Sequence, residues 1–332
     1  MPRALILGVG GYVPQRLVTN QDMTQWMETS DEWIFERTGI RQRYWIDGET
    51  GGSELAEQAV LQALERSGVE LKEIDCIILA TLSPDHTFPG TGCFLQERLG
   101  LAGIPALDVR NQCSGFIYGL SVADAWIRTG QYRCILLVGT EVHSTGIDVS
   151  TEGRDVACLF GDGAGAAVVA AGEDQERGVF STHLHADGRY AKDLWIEAPG
   201  SRFHPVRITK EMIDAGRHWP KMRGRRVFTS AVKHMPAVIM EGLEHNGLTL
   251  DDVDLFIPHQ ANLRINEAVA QILGIEPERM YSNIDRYGNT TAASIPLALR
   301  DAEEEGKLKR GDTVVLVSFG AGFTWASAVL RW

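Results

Sequence analysis

The stretch Ala63-Leu-Glu-Arg-Ser-Gly-Val-Glu-Leu-Lys-Glu-Ile-Asp-Cys-Ile-Ile78 has an ungapped counterpart in Gly242-Leu-Glu-His-Asn-Gly-Leu-Thr-Leu-Asp-Asp-Val-Asp-Leu-Phe-Ile257, with Gly68 matching Gly247 at a shift of 179. In each copy an amphipathic helix stops at a glycine, the residue that most easily takes a left-handed cap. An acidic turn follows, and then an apolar run of the kind buried in a sheet covered on both faces. The likeness continues in order along both halves. Leu99-Gly100-Leu101 echoes Leu273-Gly274-Ile275, the strand ending at Asp108 echoes one ending at Asp285, and Ile135-Leu-Leu-Val-Gly139 echoes Val314-Val-Leu-Val-Ser318. Any two helix–strand units share some features, but a matched order of several elements indicates a duplicated chain. Alternating strands and helices in each half predict mixed α/β layers with right-handed crossovers, divided into halves 1–175 and 176–332.

Composition sets outer bounds. A chain of 332 residues, 44% hydrophobic and 23% charged, can bury a large core. No apolar run reaches the roughly 20 residues of a membrane span. The segment Met1-Pro-Arg-Ala-Leu-Ile-Leu-Gly8 enters a strand-like run without a signal-cleavage pattern, so a cytoplasmic protein is expected. The five cysteines (Cys76, Cys93, Cys113, Cys134, Cys158) are scattered and form no C-x-x-C pair, which argues against a disulfide framework or a zinc site. A formal charge of −12 disfavours a nucleic-acid partner.

Duplication brings equivalent loops of the two halves together. Cys113 lies in Asp108-Val-Arg-Asn-Gln-Cys-Ser-Gly-Phe-Ile-Tyr-Gly-Leu120, between a strand end and an apolar helix. A thiol at a helix N-terminus meets unpaired amides and the positive end of the macrodipole, which lowers its pKa from ~8.5. The same position also suits a buried structural cysteine. His259 and Asn262 follow an apolar strand in Phe256-Ile-Pro-His-Gln-Ala-Asn-Leu-Arg264, and Asn289 follows the Asp285 strand in a glycine-hinged turn. Each alone could be a satisfied cap residue; together they outline one centre. Other motifs fail. There is no G-x-S-x-G elbow, Val13 breaks the dinucleotide fingerprint begun at Gly8, and Gly161-Asp-Gly-Ala-Gly165 lacks a phosphate-loop lysine and reads as a tight turn. His183 and His185 lack further ligands in spacing, so no metal is assigned.

Several long motifs occur in one order: Thr29-Ser-Asp-Glu-Trp-Ile34 with Arg37-Thr-Gly-Ile-Arg41, the Cys113 segment, Phe160-Gly-Asp-Gly-Ala-Gly165, Pro258-His-Gln-Ala-Asn-Leu-Arg-Ile265, Gly288-Asn-Thr-Thr-Ala-Ala-Ser-Ile-Pro296 and Phe319-Gly-Ala-Gly-Phe-Thr-Trp325. On these motifs the chain resembles the β-ketoacyl-acyl carrier protein synthase III enzymes of the thiolase superfamily over essentially its whole length. Relatives that prime quinolone-type pathways share the set, notably Gln-Cys-Ser-Gly around Cys113. The resemblance implies a duplicated α-β-α-β-α fold, a homodimer and a Cys113–His259–Asn289 triad. Acyl-CoA would acylate Cys113 as a substrate, with no cofactor, and malonyl-acyl carrier protein would then condense with loss of CO₂. It further implies an oxyanion hole from the amides of Cys113 and Ala321, and CoA contacts at Trp33, Arg37, Arg154 and Asn262. The acyl pocket would be lined by Leu82, His143 and Phe160, with Phe88 reaching across the dimer, and Arg264 would dock the carrier protein.

The sequence also departs from its relatives. Ala321 replaces a common glycine while keeping the amide, Leu82 and His143 stand where acetyl-using enzymes carry small or aliphatic residues, and two residues are added near Ile147–Ser150. The stretch Trp195–Arg223 is long, and Thr229 and Gln271 replace docking lysines. The nearby cluster Arg217, His218, Lys221, Arg223, Arg225 and Arg226 offers substitute cations, with Arg225 taken beside Arg264 as the dock. A synthase III-like condensing or acyltransfer enzyme of specialised metabolism, with a non-acetyl primer, is the alternative reading. A degradative thiolase is disfavoured because no second cysteine occurs near Ser318–Gly322, and a non-catalytic partner because all three reactive residues are present.

Overall fold

A computed structural model describes residues 1–332. The chain opens with β1 (Arg3–Tyr12) and the hairpin of β2 (Arg16–Thr19) and β3 (Gln42–Trp45). Next come β4 (Cys76–Ala80), β5 (Ala106–Val109), β6 (Cys134–Glu141) and β7 (Gly163–Gly172), which join β1 in a sheet of order β1-β7-β6-β4-β5. The remainder supplies β8 (Gly178–Ala186), the short pair β9 (Leu194–Trp195) and β10 (Lys221–Met222), then β11 (Leu255–Pro258), β12 (Thr313–Gly320) and β13 (Thr324–Arg331). Its main sheet has the order β11-β12-β13-β8.

Taken from the opposite edge, the second sheet repeats the first. Strands β8, β13, β12 and β11 occupy the places of β1, β7, β6 and β4, with antiparallel, antiparallel and parallel pairings in both. The shift of 179 seen in the sequence carries β6 onto β12 and the turn Leu71–Glu73 onto Leu250–Asp252 without a gap. Gly68 and Gly247 end their helices at φ 69° and 67°, where a Cβ would be strained.

Two helices lie between the sheets. Gly115–Arg128 buries Phe116, Ile117, Leu120, Ala123 and Ile127, too wide an apolar surface for a helix with one wet face. It shares a core with Ile295, Ala298, Leu299 and Ala302 of the helix Ser294–Glu304, with Ile78 and Leu137 of one sheet, and with Ile257 and Leu316 of the other. Helix Gly52–Ser67 covers the outer face of the first sheet. Helices Gly224–His245 and Leu263–Leu273 cover the second. The result is a five-layered α-β-α-β-α sandwich.

Two expectations need correction here. No strand ends at Asp285: the counterpart of β5 is a single parallel bridge, Met280 to Phe256, followed by a helical turn at Ile284–Tyr287. Side chains take the bonds that a ladder would use, since Gln260 Oε1 accepts from Ser282 Oγ at 2.9 Å and Asn283 N at 3.2 Å. Asn289 therefore follows a helical turn rather than a strand. The Gly161–Gly165 stretch is not wholly a turn either, because Gly163 already begins β7. Close backbone packing is present at Gly161, where a Cβ would meet the Tyr287 carbonyl oxygen at 2.3 Å.

Only two residues other than glycine take positive φ, Gln112 at 44° and Thr291 at 48°, again 179 apart. Each opens a 3₁₀ turn, Gln112–Ser114 or Thr291–Ala293, that leads into one of the central helices. Such backbone costs about 1–3 kcal/mol and concentrates at functional sites. Here one turn carries Cys113 and the other follows Asn289.

Candidate active site

Cys113 is buried in the first of these turns, two residues before the helix Gly115–Arg128. Gly320, at the end of β12, lets it fit, since a Cβ there would lie 2.7 Å from Cys113 Cβ and 3.2 Å from Sγ. The expected depression of the thiol pKa is not found. Burial pushes Cys113 up to about 12 and Glu141 adds to the rise, while its own amide and that of Ala321 pull it back. Desolvation of the charged form outweighs the favourable amides in a site closed to water. The resting group is thus a thiol, and both amides predicted for the oxyanion hole approach its sulfur.

His259 follows β11, its amide donating to Val317 O at 2.8 Å. Its Nδ1 lies 2.6 Å from Ser294 Oγ, and its Nε2 is buried without a partner. Ser294 Oγ accepts from Gln260 N at 3.4 Å and has no acceptor for its own proton other than His259. The hydroxyl therefore donates to Nδ1, which leaves the imidazole proton on Nε2 as an unpaired donor. Burial, reinforced by nearby His143, pushes the His259 pKa down to about 3, so the ring is neutral at neutral pH. We expect ¹⁵N shifts of His259, assigned by their loss in His259→Asn, to report the Nε2–H tautomer and to stay constant from pH 8 to pH 5. A midpoint near 6.5, or an Nδ1–H tautomer, would contradict this arrangement.

Asn289 is buried beside Phe160, with its amide on Leu159 O at 2.8 Å and its carbonyl accepting from Gly161 N at 3.1 Å. Its Oδ1 accepts from Thr291 N at 2.9 Å, which turns the unpartnered amide group Nδ2 toward the cavity it lines. Cys113 from the first half and Asn289 from the second thus line one cavity, while His259, at the end of β11, is buried outside the lining.

Cys113 lies between two cavities. The outer one, about 470 Å³, runs past Trp33, Arg37, Phe160, Asn262, Asn289 and Gly320, with Arg225 and Arg264 in its lining. The Arg37 and Arg154 guanidinium groups lie over the Trp33 ring at 4.4 and 4.9 Å. Arg154 stands outside the lining and donates to Glu28 O at 2.6 Å. Asn262 caps the Leu263–Leu273 helix, accepting from Arg264 N at 3.0 Å and donating to Arg37 O at 2.9 Å. The inner cavity, about 410 Å³, is lined by Leu82, His143, Phe160 and Ala321, together with Trp195, Ile196 and Pro220 from the long stretch after β8. Phe88 lines neither and is 77% exposed. Half of the basic cluster is engaged internally: Arg217 pairs with Glu197 at 2.8 Å, and Arg223 and Arg226 with Asp193 at 2.9 and 3.2 Å. His183 and His185 both turn to Glu241.

Sequence reasoning missed three residues. Ser294 sits in a quoted motif, and its place at the start of a predicted helix was the available signal. Thr291 holds His143 Nε2 at 2.7 Å. Buried Glu141 accepts from the amides of Leu82 and Ser83 and from the Ser83 hydroxyl at 2.6 Å, fixing the wall of the inner cavity. Nothing in Gly139-Thr-Glu141 announces that role.

Residues 107–188 match the family described as 3-oxoacyl-(acyl-carrier-protein) synthase III, and residues 243–332 match its C-terminal region. A β-ketoacyl-(acyl-carrier-protein) synthase III of Methylococcus capsulatus is 46% identical over 327 residues, covering 98% of each chain. The chain belongs to the β-ketoacyl-(acyl-carrier-protein) synthase III family. The crystal structure of a synthase III from Aquifex aeolicus superposes with a TM-score of 0.91 at 40% identity, covering 99% of this chain and 100% of that one. The priming β-ketosynthase of the R1128 polyketide pathway superposes with a TM-score of 0.89 at 32% identity, over 99% and 96%. The five-layered duplicated fold of this chain is therefore the thiolase-like fold of synthase III.

Proposed function

We propose that this chain condenses an acyl-CoA primer with malonyl-acyl carrier protein to give a 3-oxoacyl thioester. The observation that carries the reading is a buried thiol that meets the amides of Cys113 and Ala321, with the unpartnered Asn289 Nδ2 in the same cavity lining and His259 Nε2–H buried without a partner at the end of β11. In the first half-reaction the Cys113 sulfur attacks the primer carbonyl. The carbon–sulfur bond to CoA breaks, and the thiol proton leaves on the CoA sulfur. In the second, the malonyl carbon–carboxylate bond breaks and CO₂ departs. The electron pair moves onto the thioester oxygen, where His259 and Asn289 can donate to the enolate. Its carbon then attacks the acyl group on Cys113, whose carbonyl oxygen meets the two amides, and the released sulfur takes up a proton. Splitting the transfer across a covalent intermediate gives ping-pong kinetics.

CoA enters by the outer cavity, with Trp33, Arg37 and Arg154 at the adenine and Asn262 along the way, and the acyl group occupies the inner cavity. CoA acts as substrate and no cofactor takes part. A second copy of the chain covers exposed Phe88, making a homodimer, and the free thiols suit a reducing cytoplasm. Incubation with an acyl-CoA and malonyl-acyl carrier protein tests the whole reading, with CO₂ and the 3-oxoacyl thioester as expected products. Hydrolysis of acyl-CoA without condensation would overturn it.

Arg225 and Arg264, at the outer cavity, are the proposed dock for the acidic carrier. Exposed ion pairs contribute only ~0.2–1 kcal/mol each, so both charges should be reversed together. Arg225→Glu with Arg264→Glu is expected to raise KM for malonyl-carrier protein several-fold more than KM for acyl-CoA, and less so as salt screens the patch. Equal rises in both constants would assign these residues to CoA instead.

A further inference from the structure

His143 lines the inner cavity and is only 6% exposed. Its ring packs on Phe160 with centroids 4.5 Å apart, and its Nε2 lies 2.7 Å from Thr291 Oγ1. That hydroxyl is buried and has no other acceptor within the chain, so donation to Nε2 satisfies its proton. The imidazole proton is then on Nδ1. This atom has no partner within the chain, yet it is not among the atoms sealed off from solvent. It opens on the cavity. Burial pushes the His143 pKa down to about 3, so the ring stays neutral across neutral pH.

The rest of the lining points the same way. Arg110 and Gln112 also border the cavity with unpartnered side chains, and no carboxylate lines it. Open polar groups there are thus mainly hydrogen-bond donors. At about 410 Å³ the cavity is larger than the three heavy atoms of an acetyl group would fill. A purely hydrocarbon chain would leave the buried Nδ1–H unpaired, which is costly in a dry site.

We infer that His143 is a specificity-determining residue whose Nδ1–H binds an acceptor oxygen on a primer longer than acetyl, so that the substrate class is an oxygenated acyl-CoA. This rests on the condensing function proposed above and adds the identity of its primer. The hydroxyl of Thr291 positions the ring, and Phe160 limits its rotation.

The test is acylation of Cys113 by octanoyl-CoA and by its 3-, 5- and 7-oxo forms, followed by intact-protein mass spectrometry. One buried neutral hydrogen bond corresponds to a preference of about tenfold, so at least one oxo form should acylate about ten times faster than octanoyl-CoA. His143→Leu should remove that preference while still accepting octanoyl-CoA. His143→Asn keeps an amide donor near the Nδ1 position and should restore part of it. Wild-type protein that takes octanoyl-CoA as fast as every oxo form would overturn the inference and leave the condensing function intact. So would a preference that survives in His143→Leu. Absence of any adduct on Cys113 from all four donors would overturn the inference, and absence of one from acetyl-CoA as well would overturn both.

Discussion

Cys113→Ser protein is expected to lose acylation by acyl-CoA by about 10³-fold or more, because an unactivated hydroxyl replaces the one nucleophile between the two cavities. Cys158 and Cys93 provide the controls. Cys158 borders the outer cavity but is 1% exposed, and burial pushes its thiol up to about 11, with Arg43 opposing. Cys158→Ser should therefore acylate at nearly the wild-type rate. Cys93 is exposed and lines neither cavity, so it would report indiscriminate reaction. Time courses of bound label at equal protein concentration decide the matter, and rapid labelling of Cys113→Ser would remove Cys113 from the role. The burial of the thiol makes this a demanding test. A thiol at about 12 is a poor nucleophile in the resting protein, so its proton has to leave as the sulfur attacks.

The second large effect separates the half-reactions. His259→Ala and Asn289→Ala should each still become acylated, yet decarboxylate malonyl-thioester about 10²–10³ times more slowly, the usual cost of one lost oxyanion donor. Both donors are free in the structure, and neither belongs to the pair of amides that meets the Cys113 sulfur. Single-turnover measurements with pre-acylated protein isolate the second step. Normal decarboxylation in either variant would refute its role, and equal loss of both steps would make that residue a partner of Cys113 instead. Ser294→Ala offers a milder version. It removes the hydroxyl that fixes the Nε2–H tautomer while leaving the ring in place, so it should slow decarboxylation without affecting acylation.

Much of the fold was legible because its signal repeats. Apolar runs of period two or less, glycine stops and acidic turns recur at a constant spacing, and the spacing survives in the structure from Leu71–Glu73 to the turns at Gln112 and Thr291. Where polar side chains replace a backbone ladder, the pattern misleads. The run before Asp285 looks like its counterpart before Asp108, but Gln260 takes up the hydrogen bonds of Ser282 and Asn283 and the strand is lost. The direction of the Cys113 shift is not legible in the sequence either. A helix start is visible in sequence, whereas the closure of the site by Gly320, Phe160 and Asn289 is a tertiary fact, and desolvation follows from closure. The same holds for Ser294 and Thr291. Each is an ordinary helix-start residue until the fold brings His259 or His143 within 2.7 Å.

The chemistry stands or falls on a covalent acyl group at Cys113 that is then consumed by a malonyl donor. Protein exposed to acyl-CoA should gain the mass of one acyl group, mapped by peptide analysis to the Asp108–Leu120 segment. Addition of malonyl-acyl carrier protein should remove that mass within one turnover, with one CO₂ and one 3-oxoacyl thioester released per acyl group. An adduct on another cysteine, or one on Cys113 that persists in the presence of the malonyl donor, would contradict the mechanism.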